Sequence, residues 1–386
     1  MRKRLTNYSQ FYFSSDQYDS ITVNTYSQIA ECIKLARASK RKVRYIGSSH
    51  SLSKCNIPRK DEIILRSDAC NQFVFVDQST IRVQASAKLW NIQLSLSKYG
   101  YELPVINGGQ ASPTVGGFIS AGGIGKTEPG KEMRLGRSCV HGGFWEQVTR
   151  ITYIDGNGML KVSTPSQSDF HLLFGSQGQF GIFLEADLKV IPIKSPSNDK
   201  MLIEQTLYKD VSTYTPDDQR TLWVTLFSSP KQLRNAWVIL ENWYLTHEDI
   251  IKPVDNARWA GPVHKGLPIG FIYDINYKTF NPPLLYPDQS SFHALGIAYL
   301  IKTGDYCLNQ YIAQAMKKIY SDALLNNLFI YSSVENIVSS YEAVDRYSPA
   351  IIAEALNLRK KNNCHDFLNV GWLDTCESNN GIVANH

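Results

Sequence analysis

The first part of the chain alternates between apolar patterns with helical spacing and short runs typical of strands. Residues 26–40 carry apolar side chains at helical spacing, and residues 42–46 form a β-prone run directly after them. A second helical run, residues 88–98, ends before Gly100. The strand-like runs between these helices are residues 63–65, 73–76 and 80–85. Several consecutive strands before a helix predict an α+β fold.

Further along, the pattern predicts a hairpin, a short helix and a long strand. Residues 148–154 and 159–162 flank Asp155-Gly156-Asn157-Gly158, which is a strong turn signal between two strands. A short helix is predicted around residues 168–174, and a strand over residues 182–191 that ends at Pro192.

Length and glycine content divide the chain in two. The 386 residues exceed the length at which one hydrophobic core usually stops growing. Glycine-rich texture ends after Pro196, and alternating strands and helices follow to the C-terminus. We therefore predict two domains, residues 20–194 and residues 195–386, both of the α+β class.

Residues 107–125 differ in composition from the rest of the chain. Seven of these 19 residues are glycine, and serine, threonine and alanine fill much of the remainder. Such a stretch is either a flexible linker or a backbone packed tightly against a ligand. The interleaved Val115, Phe118, Ile119 and Ile124 oppose the linker interpretation, because solvated linkers lack large apolar side chains.

Charge and cysteine usage exclude several classes of partner. A net charge of +5 over this length gives little reason to expect nucleic acid as a partner. The seven cysteines are irregularly spaced and form no C-x-x-C pair, so no metal site is predicted and free thiols are expected. The polar residues after the basic N-terminus do not match the apolar stretch of a signal peptide, and no run approaches the ~20 apolar residues of a membrane span. We expect a cytoplasmic protein without a membrane partner.

The β-prone run at residues 42–46 leads directly into Gly47-Ser48-Ser49-His50-Ser51. Small residues after a strand leave backbone N–H groups accessible, which is how loops bind a pyrophosphate. Taken alone, these five residues also fit a plain turn with a surface histidine. Other segments of the chain are needed to choose between the two interpretations.

With its flanks, this loop resembles the first FAD-binding motif of the vanillyl-alcohol oxidase and p-cresol methylhydroxylase family, the FAD-linked oxidases. The matching run is Val43-Arg44-Tyr45-Ile46-Gly47-Ser48-Ser49-His50-Ser51, where the family has Gly-x-Gly-His-Ser around the pyrophosphate. Ser49 stands where the family has the glycine before the histidine. A left-handed φ at that position would disfavour serine.

Three later segments resemble the remaining motifs of the family in order and spacing, over residues 20–192. They are Ser112-Pro113-Thr114-Val115-Gly116-Gly117-Phe118-Ile119-Ser120-Ala121-Gly122-Gly123, His141-Gly142-Gly143-Phe144-Trp145-Glu146-Gln147-Val148 and Gly178-Gln179-Phe180-Gly181-Ile182. The resemblance implies a PCMH-type FAD-binding domain of two α+β subdomains, followed by an α+β substrate-binding cap domain. The residues that it assigns to FAD binding are Ile46, Gly47, Ser48, Ser49, His50, Ser51, Gln110, Ser112, Thr114, Val115, Gly116, Gly117, Ser120, Gly122, Gly123, Gly178, Gly181 and Ile182.

The resemblance also implies a way in which the flavin is attached. His50 falls where many members bond an imidazole nitrogen to the flavin, so a covalent FAD is expected. The alternative is that His50 only contacts a noncovalent flavin. Some members form a second bond through a cysteine where this chain has Ser112, so we expect a single attachment. Cys139 lies near the third motif but not at a linkage position.

The sequence does not identify the residues that bind the substrate. Residues 125–141 are longer than in related proteins and contain Lys126, Lys131, Arg134 and Arg137, which are either a site for an anionic substrate or a solvated basic loop. Candidates for a catalytic base rest on residue type alone, so the catalytic residues are unknown. These candidates are Glu241, Tyr244, His264, Tyr273 and His293.

The resemblance implies an FAD-dependent oxidoreductase that takes a hydride from a small-molecule C–O or C–N donor and passes the electrons to dioxygen or another acceptor. Cytokinin dehydrogenases share the texture of Gly178–Ile182, but their catalytic aspartate has no match in this chain. Aldonolactone oxidases often have Gly-x-His-Gly where this chain has Gly122-Gly123-Ile124-Gly125, so neither substrate class is supported. The alternatives are a noncovalent flavin reductase of the enolpyruvyl-glucosamine reductase type and a flavin-binding protein without catalysis.

Overall fold

A computed structural model describes most of the chain. The described residues are 18–49, 51, 54–58, 62–67, 69, 71–106, 113–125, 138–139, 143–193, 219–247, 252–253, 271–276, 282–284, 291–302, 306–331, 347–364 and 373. The α-helices in these ranges are α1 (Tyr26–Ala38), α2 (Leu89–Lys98), α3 (Val115–Ala121), α4 (Leu233–His247), α5 (Tyr306–Leu325) and α6 (Pro349–Lys361). Short 3-10 helices cover Lys54–Asn56, Phe144–Gln147 and Phe170–Leu173.

The strands form three main sheets and one small ribbon. They are β1 (Asp19–Thr22), β2 (Lys42–Tyr45), β3 (Glu62–Arg66), β4 (Phe73–Asp77), β5 (Thr80–Gln84), β6 (Tyr101–Glu102), β7 (Ser138–Cys139), β8 (Val148–Ile154), β9 (Leu160–Ser163), β10 (Ile182–Lys189), β11 (Ile191–Pro192), β12 (Gln219–Ser228), β13 (Lys252–Pro253), β14 (Phe271–Asn276), β15 (Ser291–Lys302) and β16 (Phe329–Ile330). The chain thus mixes helices and strands as predicted, while the arrangement into subdomains stays a prediction.

The first sheet is parallel, with strand order β1-β3-β2, and α1 packs against it. Thr25 begins α1 with a capping box, because its side chain accepts from the Gln28 amide while the Gln28 side chain accepts from the Thr25 amide. The buried positions are Ile29, Cys32, Ile33 and Ala36. Their spacing is the helical pattern seen in the sequence, so the predicted helix and the strand after it are confirmed.

The second sheet is antiparallel, with strand order β4-β5-β10-β8-β9. The β8–β9 hairpin forms where the turn signal predicts it. Asp155 Oδ1 accepts from the backbone amides of Asn157 at 2.8 Å and Met159 at 2.9 Å, which closes the turn. The predicted strand at residues 182–191 appears as β10 and the short β11, which pairs with β6.

The glycine-rich stretch contains a helix that the sequence pattern did not predict. Thr114 is its N-cap, and Gly122 ends α3 in the left-handed conformation with φ of 73°. Glycine disfavours the helix by about 1 kcal/mol relative to alanine, so two glycines in one short helix hide it from propensity-based prediction. Packing overrides that cost: a Cβ on Gly116 would lie 2.8 Å from the Ala85 Cβ in the segment after β5.

The third sheet lies between two layers. Its strand order is β16-β12-β15-β14-β7, and β13 also pairs with β15. Val224, Leu226 and Leu295 pack with α4 and α5 on one face. Phe227 and Ala294, on the opposite face, belong to the largest core, which also contains residues of α3 and of the second sheet. The third sheet is therefore packed directly against the part of the chain that carries the glycine-rich motifs.

The last helix returns to the first two sheets. Ala355 and Leu358 of α6 lie in the largest core, and Cys364 lies in the core of the first sheet. The amide of Gly156 donates to Asn362 O at 2.8 Å, and a Cβ on Gly156 would lie 1.9 Å from Asn363 O.

The domain boundary near residue 195 stays a prediction. Among the helices that the structure describes, none is long and apolar enough to cross a bilayer.

Candidate functional site

The loop after β2 contains a residue in an unusual backbone conformation. Ile46, at its start, donates its amide to Leu65 O of β3 at 2.9 Å. Ser49 has a φ of 58°, in the left-handed region that glycine adopts without strain. This is the position at which the resembling family has glycine. His50, the next residue, lies outside the described part of the chain, as do Gln110 and Ser112.

Gly47 brings the first motif into contact with the second. A Cβ at Gly47 would lie 2.2 Å from Thr114 Oγ1 and 3.2 Å from Thr114 Cγ2, so no side chain fits between them. Thr114 itself is buried and caps α3, its Oγ1 accepting from the Gly117 amide at 3.3 Å. The backbone of Gly47 thus contacts the side chain of Thr114, which lies 67 positions later in the sequence.

Ser48 carries a buried hydroxyl next to this contact. Its Oγ is inaccessible to solvent and has no hydrogen-bond partner among the groups that the structure describes. A buried hydroxyl without a partner costs about 1–3 kcal/mol, so such groups in native proteins generally have a partner that completes them. The oxygen-rich pyrophosphate of FAD is a ligand of the right kind for a hydroxyl donor in a glycine-lined loop. The residues present therefore fit the group that the resemblance implies.

A buried ion pair fixes both ends of the loop. Arg44 and Glu62 have side-chain exposures of 3% and 0%, and both carboxylate oxygens accept from the guanidinium at 2.7 Å. Arg44 Nη1 also donates to Cys55 O, and the Cys55 thiol donates to Ser51 Oγ at 2.8 Å. The pair thus joins β2, before the loop, to the segment after it. The sequence did not reveal this pair, because nothing in the strand pattern links positions 44 and 62.

Around the start of α3, the backbone donors are used within the protein. The amides of Val115 and Gly116 donate to Ala87 O and Ala85 O, each at 2.9 Å. Gly116 is buried, whereas Gly117 is exposed. These glycines therefore provide close packing of α3 against the segment after β5. Their predicted contact with FAD stays a prediction.

The end of α3 meets the fourth motif. The amide of Gly175 donates to Ile119 O at 3.2 Å, and that of Gln177 donates to Ser120 O at 2.7 Å. Gln177 and Gly178 both have positive φ, at 53° and 77°. The structure thus brings together three of the predicted segments: the loop after β2, α3 with its caps, and the loop before β10.

The fourth motif is also tied to the C-terminal part of the chain. A Cβ at Gly181 would lie 2.5 Å from the Tyr153 ring, and Ile182 begins β10. Asn362 Nδ2 donates to Phe180 O at 2.9 Å, and the Leu373 amide donates to Gln179 Oε1 at 3.2 Å. Burial raises the pKa of the Tyr153 phenol, which keeps it protonated as a donor to Asp169 Oδ2 at 3.1 Å.

The third sheet separates the candidate bases by face. His293 pairs with Ser228 and Asp274, on the face that Leu295 presents to α4 and α5, and Glu241 and Tyr244 belong to α4 itself. These three residues are therefore on the side of the sheet away from the glycine-rich motifs. Position 273 pairs with Ala294, whose side chain lies in the largest core, and His264 is outside the described residues.

Tyr331, directly after strand β16 of the third sheet, makes a contact that the sequence did not predict. Its hydroxyl donates to the carbonyl oxygen of Gly122 at 2.9 Å, at the C-terminal end of α3. Tyrosine at the end of a short strand gives no sequence signal for such a contact.

Comparison of the sequence with known proteins relates the first part of the chain to an FAD binding domain. Residues 20–162 match the family model described as FAD binding domain. The chain is 25% identical over 219 residues to D-arabinono-1,4-lactone oxidase of Saccharomyces cerevisiae, covering 54% of this chain and 37% of that protein. It is 28% identical over 187 residues to D-2-hydroxyglutarate dehydrogenase of Xanthomonas citri pv. viticola, covering 45% and 37%. It is 28% identical over 169 residues to L-gulonolactone oxidase of Mus musculus, covering 43% and 35%.

Each match spans little more than a third of the relative's own length. Two of these relatives are named as lactone oxidases, although this chain lacks the histidine of the Gly-x-His-Gly pattern. The family-model match includes the loop after β2 and α3, which are two of the three segments that the structure brings together, and it ends before the loop that precedes β10. Residues 20–162 are thus similar to an FAD binding domain, and the relatives that the chain matches are named as oxidases and a dehydrogenase.

Proposed function

We propose that this protein is an FAD-dependent oxidoreductase acting on a small-molecule donor with a C–O or C–N bond, with dioxygen as the first candidate acceptor. When bound, FAD would supply the hydride-accepting group, while the protein supplies binding, orientation and electrostatics. The relatives are named for lactones and for a 2-hydroxy acid, which favours a C–O donor.

The observation that carries the proposal is the contact between Gly47 and Thr114 beside the buried Ser48 hydroxyl. The absence of a side chain at Gly47 lets the loop approach the cap of α3 closely, and Ser48 offers a donor that the described residues do not use. The ion pair of Arg44 with Glu62 joins β2, directly before the loop, to β3. This arrangement suits an anionic, oxygen-rich ligand such as the FAD pyrophosphate.

We further propose that His50 bonds the flavin covalently. Support comes from its place in the motif and from the residues that flank it. Ser49 has the left-handed φ expected of the family's glycine, and Ser51 accepts from Cys55, whose carbonyl accepts from Arg44. The residue before His50 thus has the expected backbone conformation, and the side chain of the residue after it is hydrogen-bonded, which suits a residue that must meet one atom of a cofactor.

Two observations favour an anionic donor over a neutral one. Lys126, Lys131, Arg134 and Arg137 lie outside the described residues, so their part in binding a carboxylate or phosphate rests on charge alone. The 2-hydroxy acid in the name of one relative favours the anionic alternative.

One preparation tests the cofactor and its attachment separately. We expect the purified protein to be yellow, and acid precipitation to leave one FAD on the wild-type polypeptide, visible in its intact mass. His50→Ala should release the flavin on precipitation, whereas the control His293→Ala, on the helix-facing side of the third sheet, should retain it. A folded, colourless protein that takes up no added FAD would contradict the proposed function. Acid-released flavin from the wild type would contradict only the covalent bond.

A further inference from the structure

Tyr331 connects the third sheet to the backbone of the glycine-rich segment. Its position is fixed by the sheet, because its amide donates to Thr225 O at 3.1 Å directly after β16. Its ring lies 5.3 Å from that of Phe227, which in turn lies 5.0 Å from Phe292. The phenol therefore extends from a packed aromatic group of the sheet, and its hydroxyl reaches Gly122 O at 2.9 Å.

The recipient carbonyl is at the end of α3, where backbone acceptors need outside partners. The last four carbonyls of any helix have no partner in the next turn. Here Phe118 O accepts from the Gly123 amide, Ile119 O accepts from the Gly122 and Gly175 amides, and Ser120 O accepts from Gln177. The hydrogen bond to Gly122 O comes instead from the third sheet.

Three glycines leave Ile124 as the one side chain of the segment, and it packs in the largest core. Gly122 has no side chain, and a Cβ on Gly123 would lie 2.2 Å from the Phe118 ring. The same holds at Gly125, where a Cβ would lie 2.5 Å from Val105. The Gly122 end of the segment is therefore held through its backbone, where the Tyr331 phenol donates to Gly122 O, while Ile124 O accepts from the Phe144 amide at 2.8 Å.

We propose that Tyr331 is a positioning residue for the Gly122–Gly125 segment and couples the third sheet to the flavin environment. This inference rests on the proposed function insofar as the segment lies along the flavin. The phenol acts through the carbonyl of Gly122 and not by touching the reacting atoms. A displacement of the sheet is thereby transmitted to the segment through one hydrogen bond.

The test compares two tyrosines that lose the same kind of bond. Tyr331→Phe removes one oxygen and leaves the ring packed, while the control Tyr347→Phe removes a phenol that donates to Leu284 O at 3.0 Å in the same core. Amide hydrogen exchange is measured on each protein as purified. Exchange at Gly122–Gly125 should rise roughly three- to tenfold in Tyr331→Phe, as expected for loss of one neutral hydrogen bond, and remain unchanged in Tyr347→Phe.

A second readout concerns the cofactor. With FAD bound, Tyr331→Phe should shift the flavin absorption bands and reduction potential while Tyr347→Phe leaves both at the wild-type values. Equal exchange rates in the two variants at Gly122–Gly125 would overturn the positioning role, whatever the flavin content. Faster exchange with an unchanged flavin spectrum and potential would overturn the coupling. Because amide exchange reports on the Gly122–Gly125 segment whether or not flavin is bound, failure of the proposed function would leave that measurement interpretable.

Discussion

The loops around α3 and the third sheet hold their neighbours in different ways. Around α3 the contacts depend on what is missing: Gly47 leaves room for Thr114, and Gly116 leaves room for Ala85. In the third sheet the contacts depend on large side chains, such as Phe227 and Phe292 on the face opposite α4 and α5. Missing side chains restrict the sequence to glycine, whereas a packed apolar face accepts several residues. The first region is therefore recognisable in a sequence, and the second is not.

The largest expected effect tests this comparison, because it comes from two large side chains in strands β2 and β3, next to the glycine-rich loops. Glu62→Gln leaves the buried Arg44 guanidinium without a charged partner. We expect a loss of about 3–5 kcal/mol in the free energy of unfolding, measured by urea denaturation. FAD uptake should fall with it, since the same pair holds both ends of the Gly47–Ser51 loop.

Two controls separate burial from charge. Asp19→Asn removes the partner of Arg41 in an ion pair whose side chains are 61% and 32% exposed, and should cost about 0–1 kcal/mol. The double variant Arg44→Met with Glu62→Leu should recover most of the stability lost in Glu62→Gln, because no unpaired charge remains buried. A loss in Glu62→Gln as small as that in Asp19→Asn would mean that the pair is not buried.

The same contrast explains how far the sequence could predict the molecule. Helix α1, strands β2 and β3, the strands of the second sheet and the β8–β9 hairpin follow from local periodicity and turn chemistry, which act over a few residues, whereas β1 was not predicted. Helix α3 was missed because Gly116 and Gly117 lower its propensity, while the packing that stabilises it comes from Ala85. The ion pair of Arg44 with Glu62 and the Tyr331 bond depend on strand register and sheet packing. Neither contact produces a local sequence pattern.

The candidate site was predictable to the same extent. Its loops could be proposed from glycine and small residues, and the structure brings three of them together. A catalytic base could not be proposed, because one histidine or tyrosine in a strand resembles any other until the register is known. His293 shows this, since pairing with Ser228 and Asp274 assigns it to the face of α4 and α5.

The second-largest expected effect tests whether the missing side chain at Gly116 lets α3 pack closely. Gly116→Ala adds a Cβ that would lie 2.8 Å from the Ala85 Cβ and 3.3 Å from its carbonyl oxygen. Overpacking of this kind typically costs about 1–3 kcal/mol, against a gain of about 1 kcal/mol in helix propensity. We expect a net loss of stability in urea denaturation. Adding Ala85→Gly removes the opposing Cβ and should restore stability, and a double variant no more stable than Gly116→Ala would argue against this packing.

The smallest expected effect concerns Ser49, and it asks whether the loop after β2 depends on backbone shape or on side-chain chemistry. A non-glycine residue in the left-handed region costs roughly 1–2 kcal/mol, and Ser49 has a φ of 58°. Ser49→Gly relieves that strain but also gives the unfolded chain more freedom, which offsets part of the gain. We expect a net stabilisation of about 1 kcal/mol or less, seen as a higher urea midpoint with an unchanged m value. Ser49→Ala is the matched control, because it removes the hydroxyl and keeps the Cβ, so it should show no gain. FAD uptake should be retained in Ser49→Gly if the loop binds through its backbone. A glycine variant that is more stable yet binds FAD more weakly than Ser49→Ala would show that a fixed left-handed serine serves binding, and the loop would then resemble the third sheet in relying on side chains.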